Sequence, residues 1–341
     1  MGSGRQRAGV GWAQVPPEYS FVIPVFNERE TLEELYRRLA PVLDALDGAA
    51  EVVLVDDGST DGSYEVMRAL HDRDERVKLV RLSRNFGHQL ALTAGLDHAS
   101  GNAVVAMDAD LQDPPEVALE LAKRWREGYA VVYAVRERRM GETRTKLVTA
   151  KLFYRLLRRL TDVDIPGDAG DFRLLDRRAL DAMSSMREHN RYLRGMSAWV
   201  GFDQTGVSYV RDGRHAGRTK YSLRKMIGFG LDGIVSFSTA PLRLTLNLGF
   251  LVSALAFVLG LVAIVVKLAG VFAVPGWASI VVVIAFLGGV QLTVLGVMGE
   301  YVAQIHQEVK RRPLYLVRDV LGLHEAAEGV HVGVPPEKRW R

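Results

Sequence analysis

Ala103-Val104-Val105-Ala106-Met107-Asp108-Ala109-Asp110-Leu111-Gln112-Asp113 is the stretch on which the fold turns. An unbroken run of five apolar residues is what a strand buried on both faces requires, and the carboxylates that follow put acid at its carboxyl end. Outward from it the arrangement recurs. Ser20 to Pro24 is followed by Asn27 and Glu28, Glu51 to Val55 by Asp56 and Asp57, and Val77 to Leu82 by Ser83-Arg84-Asn85-Phe86-Gly87-His88, with a further run at Ala130 to Ala134. Between the first two, Leu32, Leu35, Leu39, Val42 and Leu46 recur at helical spacing behind Thr31, with Glu34 placed for a capping box and Pro41 predicted to kink or break the helix. Strands alternating with amphipathic helices predict an α/β fold with a mainly parallel sheet.

Beyond Gly141 a helix is expected through Lys151, Phe153 and Tyr154 to Arg159. A polar loop (Asp162 to Asp171), a strand (Phe172 to Leu175), a helix from Asp176, the segment Asn190 to Trp199 and a strand near Val207 to Val210 follow. The last third is different. No charged residue lies between Arg243 and Lys267, or between Lys267 and Glu300. A bilayer core asks for about 20 apolar residues in a helix, so two transmembrane helices are predicted, at about 244–266 and 277–299. Residues 221–241, with Leu223, Met226, Ile227, Phe229, Leu231, Ile234 and Phe237, read as interfacial amphipathic helices.

The net charge of +4 matters less than its placement. Arg211, Arg214, Arg218, Lys220, Arg224, Lys225 and Arg243 precede the first span, and Lys310, Arg311 and Arg312 follow the second, whereas the segment linking the spans has only Lys267 beside it. The positive-inside rule then puts both termini and the catalytic domain at the cytoplasmic face of the cell membrane, with the basic residues drawn to anionic headgroups of the bilayer. These residues adjoin spans rather than an aromatic-laced groove, which speaks against nucleic-acid binding. Residues 1–18 read as a flexible N-terminal tail without a signal-peptide run, 19–220 as the catalytic domain, and 304–341 as a cytoplasmic C-terminal tail. The chain has no cysteine, which excludes disulfides and thiolate chemistry. Gly249, Gly260, Gly288, Gly289 and Gly296 offer small surfaces for close helix packing, and a homo-oligomer is expected.

In open α/β sheets ligands bind beyond the carboxyl ends of the strands, which is where the acidic clusters fall. An Asp-x-Asp at such an end can hold a hard divalent cation that bridges two phosphates and neutralises charge on a departing diphosphate. Taken alone the motif is weak; preceded in order by the other two clusters it is strong.

At this point the sequence resembles the inverting glycosyltransferase family 2, with its GT-A nucleotide-sugar fold, over about residues 19–235. Asp108 to Glu116, Gly170-Asp171-Phe172, Asn190-Arg191-Tyr192-Leu193-Arg194-Gly195, and Gly217 to Tyr221 before two spans are similar to bacterial polyprenyl-phosphate glycosyltransferases. Dolichyl-phosphate mannose synthase and bactoprenol glucosyltransferase belong to that group. The resemblance implies donor contacts from Pro24, Phe26, Glu28, Asp57, Asn85, Asp108, Ala109 and Asp110, with Asp56 either contacting the nucleotide or supporting the loop. It implies Mg²⁺ or Mn²⁺ on Asp110, with Gln112 and Asp108 beside it, and a catalytic role for Asp110. For Asp171 it implies a catalytic carboxylate, acting either as general base or to orient the substrates. Arg136, Lys146, Arg214 and Lys220 fall in segments resembling the acceptor-binding region, where cations would receive the phosphate of a polyprenyl lipid. Gly217-Arg218-Thr219-Lys220-Tyr221 departs from the usual pattern by placing Arg218 where an acidic residue is common.

The expected reaction is inverting transfer of one sugar from a UDP- or GDP-linked donor to polyprenyl phosphate. A processive polysaccharide synthase would need more spans and a Gln-x-x-Arg-Trp motif, and the sequence has neither. A non-catalytic membrane scaffold on the same fold is opposed by the intact acidic set at 108–113.

Overall fold

The computed structural model describes residues 17–136, 169–210, 240–269 and 276–323. The helix expected over 141–159 and most of the interfacial segment lie outside these residues, as do Lys146, Arg214 and Lys220. Eight strands, β1 (Tyr19–Val25), β2 (Ala50–Asp56), β3 (Val77–Leu82), β4 (Ala103–Ala106), β5 (Val131–Arg136), β6 (Ala169–Asp176), β7 (Gln204–Tyr209) and β8 (Val317–Leu321), form one sheet in the order β7-β5-β6-β4-β1-β2-β3-β8. Parallel pairing runs through β4-β1-β2-β3 and joins β5 to β7, while β6 is antiparallel to both β4 and β5, and β8 to β3. All strands but β6 and β8 therefore end at one edge, and the amino ends of β6 and β8 lie at that same edge.

Helices cover both faces: α1 (Leu32–Ala45), α2 (Ser63–Arg73), α3 (His88–His98), α4 (Val117–Arg126), α5 (Arg177–Ser185) and α6 (Leu193–Trp199). The two-residue period of β1 sorts the core. Tyr19, Phe21 and Ile23 pack with Leu35, Leu39, Met67 and Leu121 from α1, α2 and α4. Val22 faces the other way and packs with Leu92 and Ala94 of α3 and with Leu180 and Met183 of α5. Each fully buried Val, Leu, Ile, Phe or Met among them contributes about 1.5–3 kcal/mol of transfer free energy.

Three local expectations are corrected. Helix α1 runs on through Pro41; Pro41 and Arg37, four residues earlier, are both exposed, so water takes the carbonyl that the ring leaves unbonded. No capping box forms. Thr31 already has a helical backbone, its hydroxyl donates to the Glu28 carbonyl at 2.9 Å, and Glu34 pairs with Arg37 instead. Leu46 lies beyond the end of α1 in an extended conformation. Pro24 sits inside β1 without harm to the ladder. Met107 N–H bonds Val22 O and Asp57 N–H bonds Val25 O, so Pro24 turns its nitrogen toward β4, whose pairing has ended at Ala106.

Two long helices follow, α7 (Ala240–Leu268) and α8 (Trp277–Val309), packed against each other. At 1.5 Å per residue α7 is about 43 Å long and α8 about 50 Å, more than the roughly 30 Å of a hydrocarbon core. Both are long and apolar enough to cross a membrane, through Leu244–Val262 and Val282–Val309. Phe250, Phe257, Leu268, Ile280, Phe286 and Leu292 are each more than half exposed, apolar surface of the kind that a membrane or a partner would cover. A Cβ added at Gly249, Gly260, Gly288, Gly289 or Gly296 would meet no atom within 4 Å, so the α7–α8 contact is not built on these glycines.

The segment expected as a tail returns to the sheet: β8 covers the edge of β3, Val317 is buried, and Tyr64 of α2 donates to Asp319 Oδ2 at 2.9 Å.

Candidate active site

The ends of β1, β2 and β3 are knitted into one rim. Asn27, at φ +55°, accepts the Thr60 N–H on Oδ1 at 2.8 Å while its own N–H bonds Ser59 Oγ at 3.1 Å. Glu28 N–H reaches Ser63 Oγ and Arg29 N–H reaches Asp61 Oδ2. Asp56, fully buried, accepts Ser59 N–H at 2.9 Å and pairs with Arg81 at 3.3 Å. Asp57 accepts Phe86 N–H at 2.7 Å and Gly87 N–H at 2.9 Å. Burial pushes the Asp57 carboxyl above its usual range, and the two amides only partly offset it. What Asp57 offers a ligand is therefore a fixed 83–87 loop, with Arg84 stacked on the Phe86 ring at 4.0 Å. The 56–63 turn and that loop touch at Gly58, which has φ +73° and where a Cβ would lie 2.7 Å from the Arg84 carbonyl carbon. Phe26 stays 41% exposed on the rim, while Pro24 is buried within β1. Asn85 is exposed, and the Glu28 side chain takes the Thr31 hydroxyl at 3.3 Å.

Beyond β4 the chain turns through Leu111 at φ +58°, and Gln112 N–H caps Asp110 Oδ1 at 3.1 Å. Ala109, Gln112 and Asp113 are buried beneath, while Asp108 and Asp110 are half-buried. Because β6 runs antiparallel, with Arg173 opposite Ala106, Asp171 arrives two residues past the end of β4, alongside Asp108. His88, the first residue of α3, bridges the two: its Nε2 lies 3.4 Å from Asp108 Oδ1 and 3.5 Å from Asp171 Oδ2.

Asp171 is almost wholly buried and fully engaged. Its Oδ1 accepts Arg194 Nε at 2.8 Å, and its Oδ2 accepts Gln89 Nε2 at 3.1 Å and Arg194 Nη2 at 3.3 Å. Burial alone would raise its pKa, but His88 and Arg194 override this and hold it well below the usual carboxylate range. Burial and the neighbouring carboxylates push Asp108 up to about 6, against the pull of His88. Burial opposes a charged His88, yet Asp171 and Asp108 raise it to about 9, so the imidazolium is the form present at neutral pH.

Of the sequence-predicted residues, Phe26, Glu28, Asp56, Asp57, Asn85, Asp108, Asp110 and Asp171 all lie at or just beyond this edge of the sheet, with Asp56 fully buried beneath it. Arg136, expected to meet an acceptor phosphate, lies at the same edge but lends its guanidinium to Tyr209 Oη at 3.1 Å and Asp113 at 3.5 Å, and Tyr209 also donates to Asp113. His88, Gln89, Arg194 and Tyr209 stand among these residues without having been given roles from the sequence, although His88 and Arg194 fall within stretches quoted there. His88 was signalled by its place directly after a strand-end loop. Gln89 and Arg194 reach Asp171 only through the packing of α3 and α6, which no local pattern discloses.

Glycosyl transferase family 2 matches residues 20–183. The uncharacterized glycosyltransferase YkcC of Bacillus subtilis (strain 168) is 49% identical over 306 residues, spanning 90% of this chain and 95% of that protein. The SfII prophage-derived bactoprenol glucosyl transferase of Shigella flexneri is 40% identical over 299 residues, 88% of this chain and 97% of its own length. Among solved structures, glucosyl-3-phosphoglycerate synthase from Mycobacterium tuberculosis, in complex with Mn²⁺, UDP-glucose and phosphoglyceric acid, aligns with a TM-score of 0.43 at 22% identity, covering 64% of this chain and 77% of that one. With strand-end carboxylates held on a mixed α/β sheet and identity of this depth along nine-tenths of its length, the chain belongs to glycosyl transferase family 2 and is a glycosyltransferase.

Proposed function

We propose that the enzyme transfers a single sugar from a UDP- or GDP-linked donor to a polyprenyl phosphate at the cytoplasmic face of the cell membrane, inverting the anomeric centre. The observation that carries this reading is topological. The chain leaves the sheet toward the apolar hairpin from Tyr209, at the end of β7, and returns at Val317, at the start of β8, and both points lie at the edge that holds Asp108 and Asp171. Ser83 N–H bonding Leu316 O fixes the return point there. A lipid phosphate presented from a bilayer then approaches the carboxylate edge directly. The likeness to a protein named bactoprenol glucosyl transferase supports the same acceptor class.

In the reaction a phosphate oxygen of the acceptor attacks the anomeric carbon as the bond from that carbon to the nucleoside diphosphate breaks. The second ionisation of a lipid phosphate lies near pH 6, so the nucleophile is already an anion and needs little deprotonation. Asp171, ionised and bound on both oxygens, suits orientation rather than proton transfer: it holds Arg194 and His88 as fixed positive charge beside the reacting centre. The knitted rim of 26–31, 56–63 and 83–87 positions the nucleotide, with Phe26 exposed as an apolar face for the base.

The Asp108–Gln112 turn fits a divalent cation, Mg²⁺ or Mn²⁺. Asp108 Oδ1 is buried and accepts no hydrogen bond from the described residues, with His88 Nε2 3.4 Å away, Asp110 shows a half-exposed carboxylate, and the buried Gln112 beside them leaves its amide nitrogen unpaired. Among the described residues no three His, Asp or Glu side chains form a closed cage, which leaves the remaining positions to donor phosphates and water, as Mg²⁺ prefers. When bound, the ion supplies neutralisation of charge on the departing diphosphate.

The test is transfer by purified protein supplied with labelled nucleotide-sugars, divalent metal and polyprenyl phosphate in vesicles. A lipid-linked monosaccharide that disappears on chelation is the expected product. Transfer only to water or to a growing polysaccharide would overturn the acceptor assignment.

A further inference from the structure

The connection between α5 and α6, residues 186–192, has no regular secondary structure, so side-chain contacts must set its course. At its start Arg187 pairs with Asp97 at 2.6 Å, and Asp97 also takes the Tyr315 hydroxyl at 2.7 Å from the segment that follows α8. Next, His189 is gripped by the last turn of α8 itself. Its backbone N–H donates to Glu308 Oε1 at 2.7 Å, and its ring Nδ1 lies 3.2 Å from Oε2. Arg191, buried, ties its guanidinium back to the carbonyl oxygens of Met186 and Met183. Leu193 N–H then donates to Gln89 Oε1 at 3.2 Å, and one residue on, Arg194 meets Asp171. Six residues of backbone, 189 to 194, thus run from the contact with the end of α8 to the contact with the buried carboxylate of the candidate site.

We propose that Glu308 is a positioning residue: by clamping the 186–192 connection to the end of α8, it sets the Arg194 guanidinium against Asp171. The inference rests on the reading of this edge as the transfer site. It follows from geometry that a carboxylate bonded to both the backbone and the ring of one residue fixes position and direction together, where a single bond would fix only distance. The helix that carries Glu308 is the one that leaves the apolar hairpin, so the bilayer-embedded part and the catalytic carboxylate share one mechanical reference.

Two arms test this, both on the full chain in lipid nanodiscs. In the first, amide hydrogen exchange is followed in wild type and in Glu308→Ala without any substrate. Faster exchange by tenfold or more at His189 and at Leu193 is expected, with the β1 and β2 amides unchanged; equal exchange at 189–193 would overturn the proposal whether or not the protein transfers sugar. In the second, Glu308→Ala is expected to lower kcat at least fivefold with the donor KM unchanged. Glu308→Gln, which keeps the Oε1 acceptor for His189 N–H, is expected to recover more than half of the rate. In an Arg194→Ala background, adding Glu308→Ala should produce no further loss, because the two act through one contact. A fully additive loss, or a fall in donor affinity instead of kcat, would overturn the positioning role. Absence of transfer by wild type under every donor would count against the reaction, leaving the exchange arm to decide the clamp.

Discussion

Asp171 shows how little a carboxylate's chemistry is fixed by its residue type. Four hydrogen-bonding or ionic contacts from Arg194, Gln89 and His88 converge on it. They hold it ionised far below its ordinary range. Asp171→Asn keeps the shape and removes the charge, so Arg194 and His88 lose the anion that orients them. Transfer is expected to fall by about two orders of magnitude, the usual scale for removing one preorganised electrostatic contact. Nucleotide affinity, proposed to rest on the β1–β3 rim, should be retained. Rates together with a calorimetric nucleotide titration check both halves; a variant turning over at the wild-type rate would remove Asp171 from the mechanism. At Gly58 the constraint is the backbone. A left-handed conformation costs an L-residue about 1–2 kcal/mol, and the added Cβ would press on Arg84 and Asn85 at 2.7 Å. Gly58→Ala should therefore lower the melting temperature by a few degrees and weaken nucleotide binding several-fold, because the 83–87 loop must move. The acidic motifs that led to this edge were legible one residue at a time, since strand-end position alone marks them. Gln89 and Arg194 were not, because each meets Asp171 from far away in the chain, and His88, though its place after the strand-end loop was visible, gains its charge only from Asp171 and Asp108.

Among the elements, the two antiparallel strands decide most. The local sequence marks 172–175 and the stretch near 207–210 as strands, but not their direction, and only direction brings Asp171 to the edge where β4 ends. Strand β8 lies within the segment expected as a cytoplasmic tail; Val317-Arg318-Asp319-Val320-Leu321 is short and carries two charges, which gives it little local strand signal. Its apolar residues find their use in tertiary pairing with β3, where Val317 joins the α3 face of the core. Val317→Asp places a charge in that core and is expected to destabilise the domain by about 3 kcal/mol. Thermal unfolding of the full chain in detergent checks it, together with increased aggregation from the uncovered β3 edge. An unchanged melting temperature would mean that β8 adds nothing to the fold.

For the whole molecule, the sheet and the apolar hairpin share their two connections at a single edge. A chain that leaves a domain and rejoins its sheet must cross a bilayer an even number of times. The catalytic domain and the segment after α8 are therefore expected on one side, and the 270–275 linker on the other. The absence of cysteine makes the test clean. Single cysteines at Glu75, Arg318 and Ala273 would be probed with an impermeant maleimide in sealed vesicles. Glu75→Cys and Arg318→Cys should label together from one side and Ala273→Cys only from the opposite side. Labelling of all three from one side would rule out two crossings.

The sequence by itself determined the α/β class, the acidic strand ends and the two apolar helices, because each depends on residues adjacent in the chain: a run buried on both faces, a carboxylate directly after it, a stretch without charge. Tertiary structure alone decided that Asp171 is held below the usual carboxylate range while Asp108 is pushed above it, which cations stand beside them, and how the segment beyond the hairpin completes the sheet. Those outcomes depend on strand direction and on contacts between residues such as Glu308 and His189, 119 positions apart, and no local propensity encodes a distance of that kind.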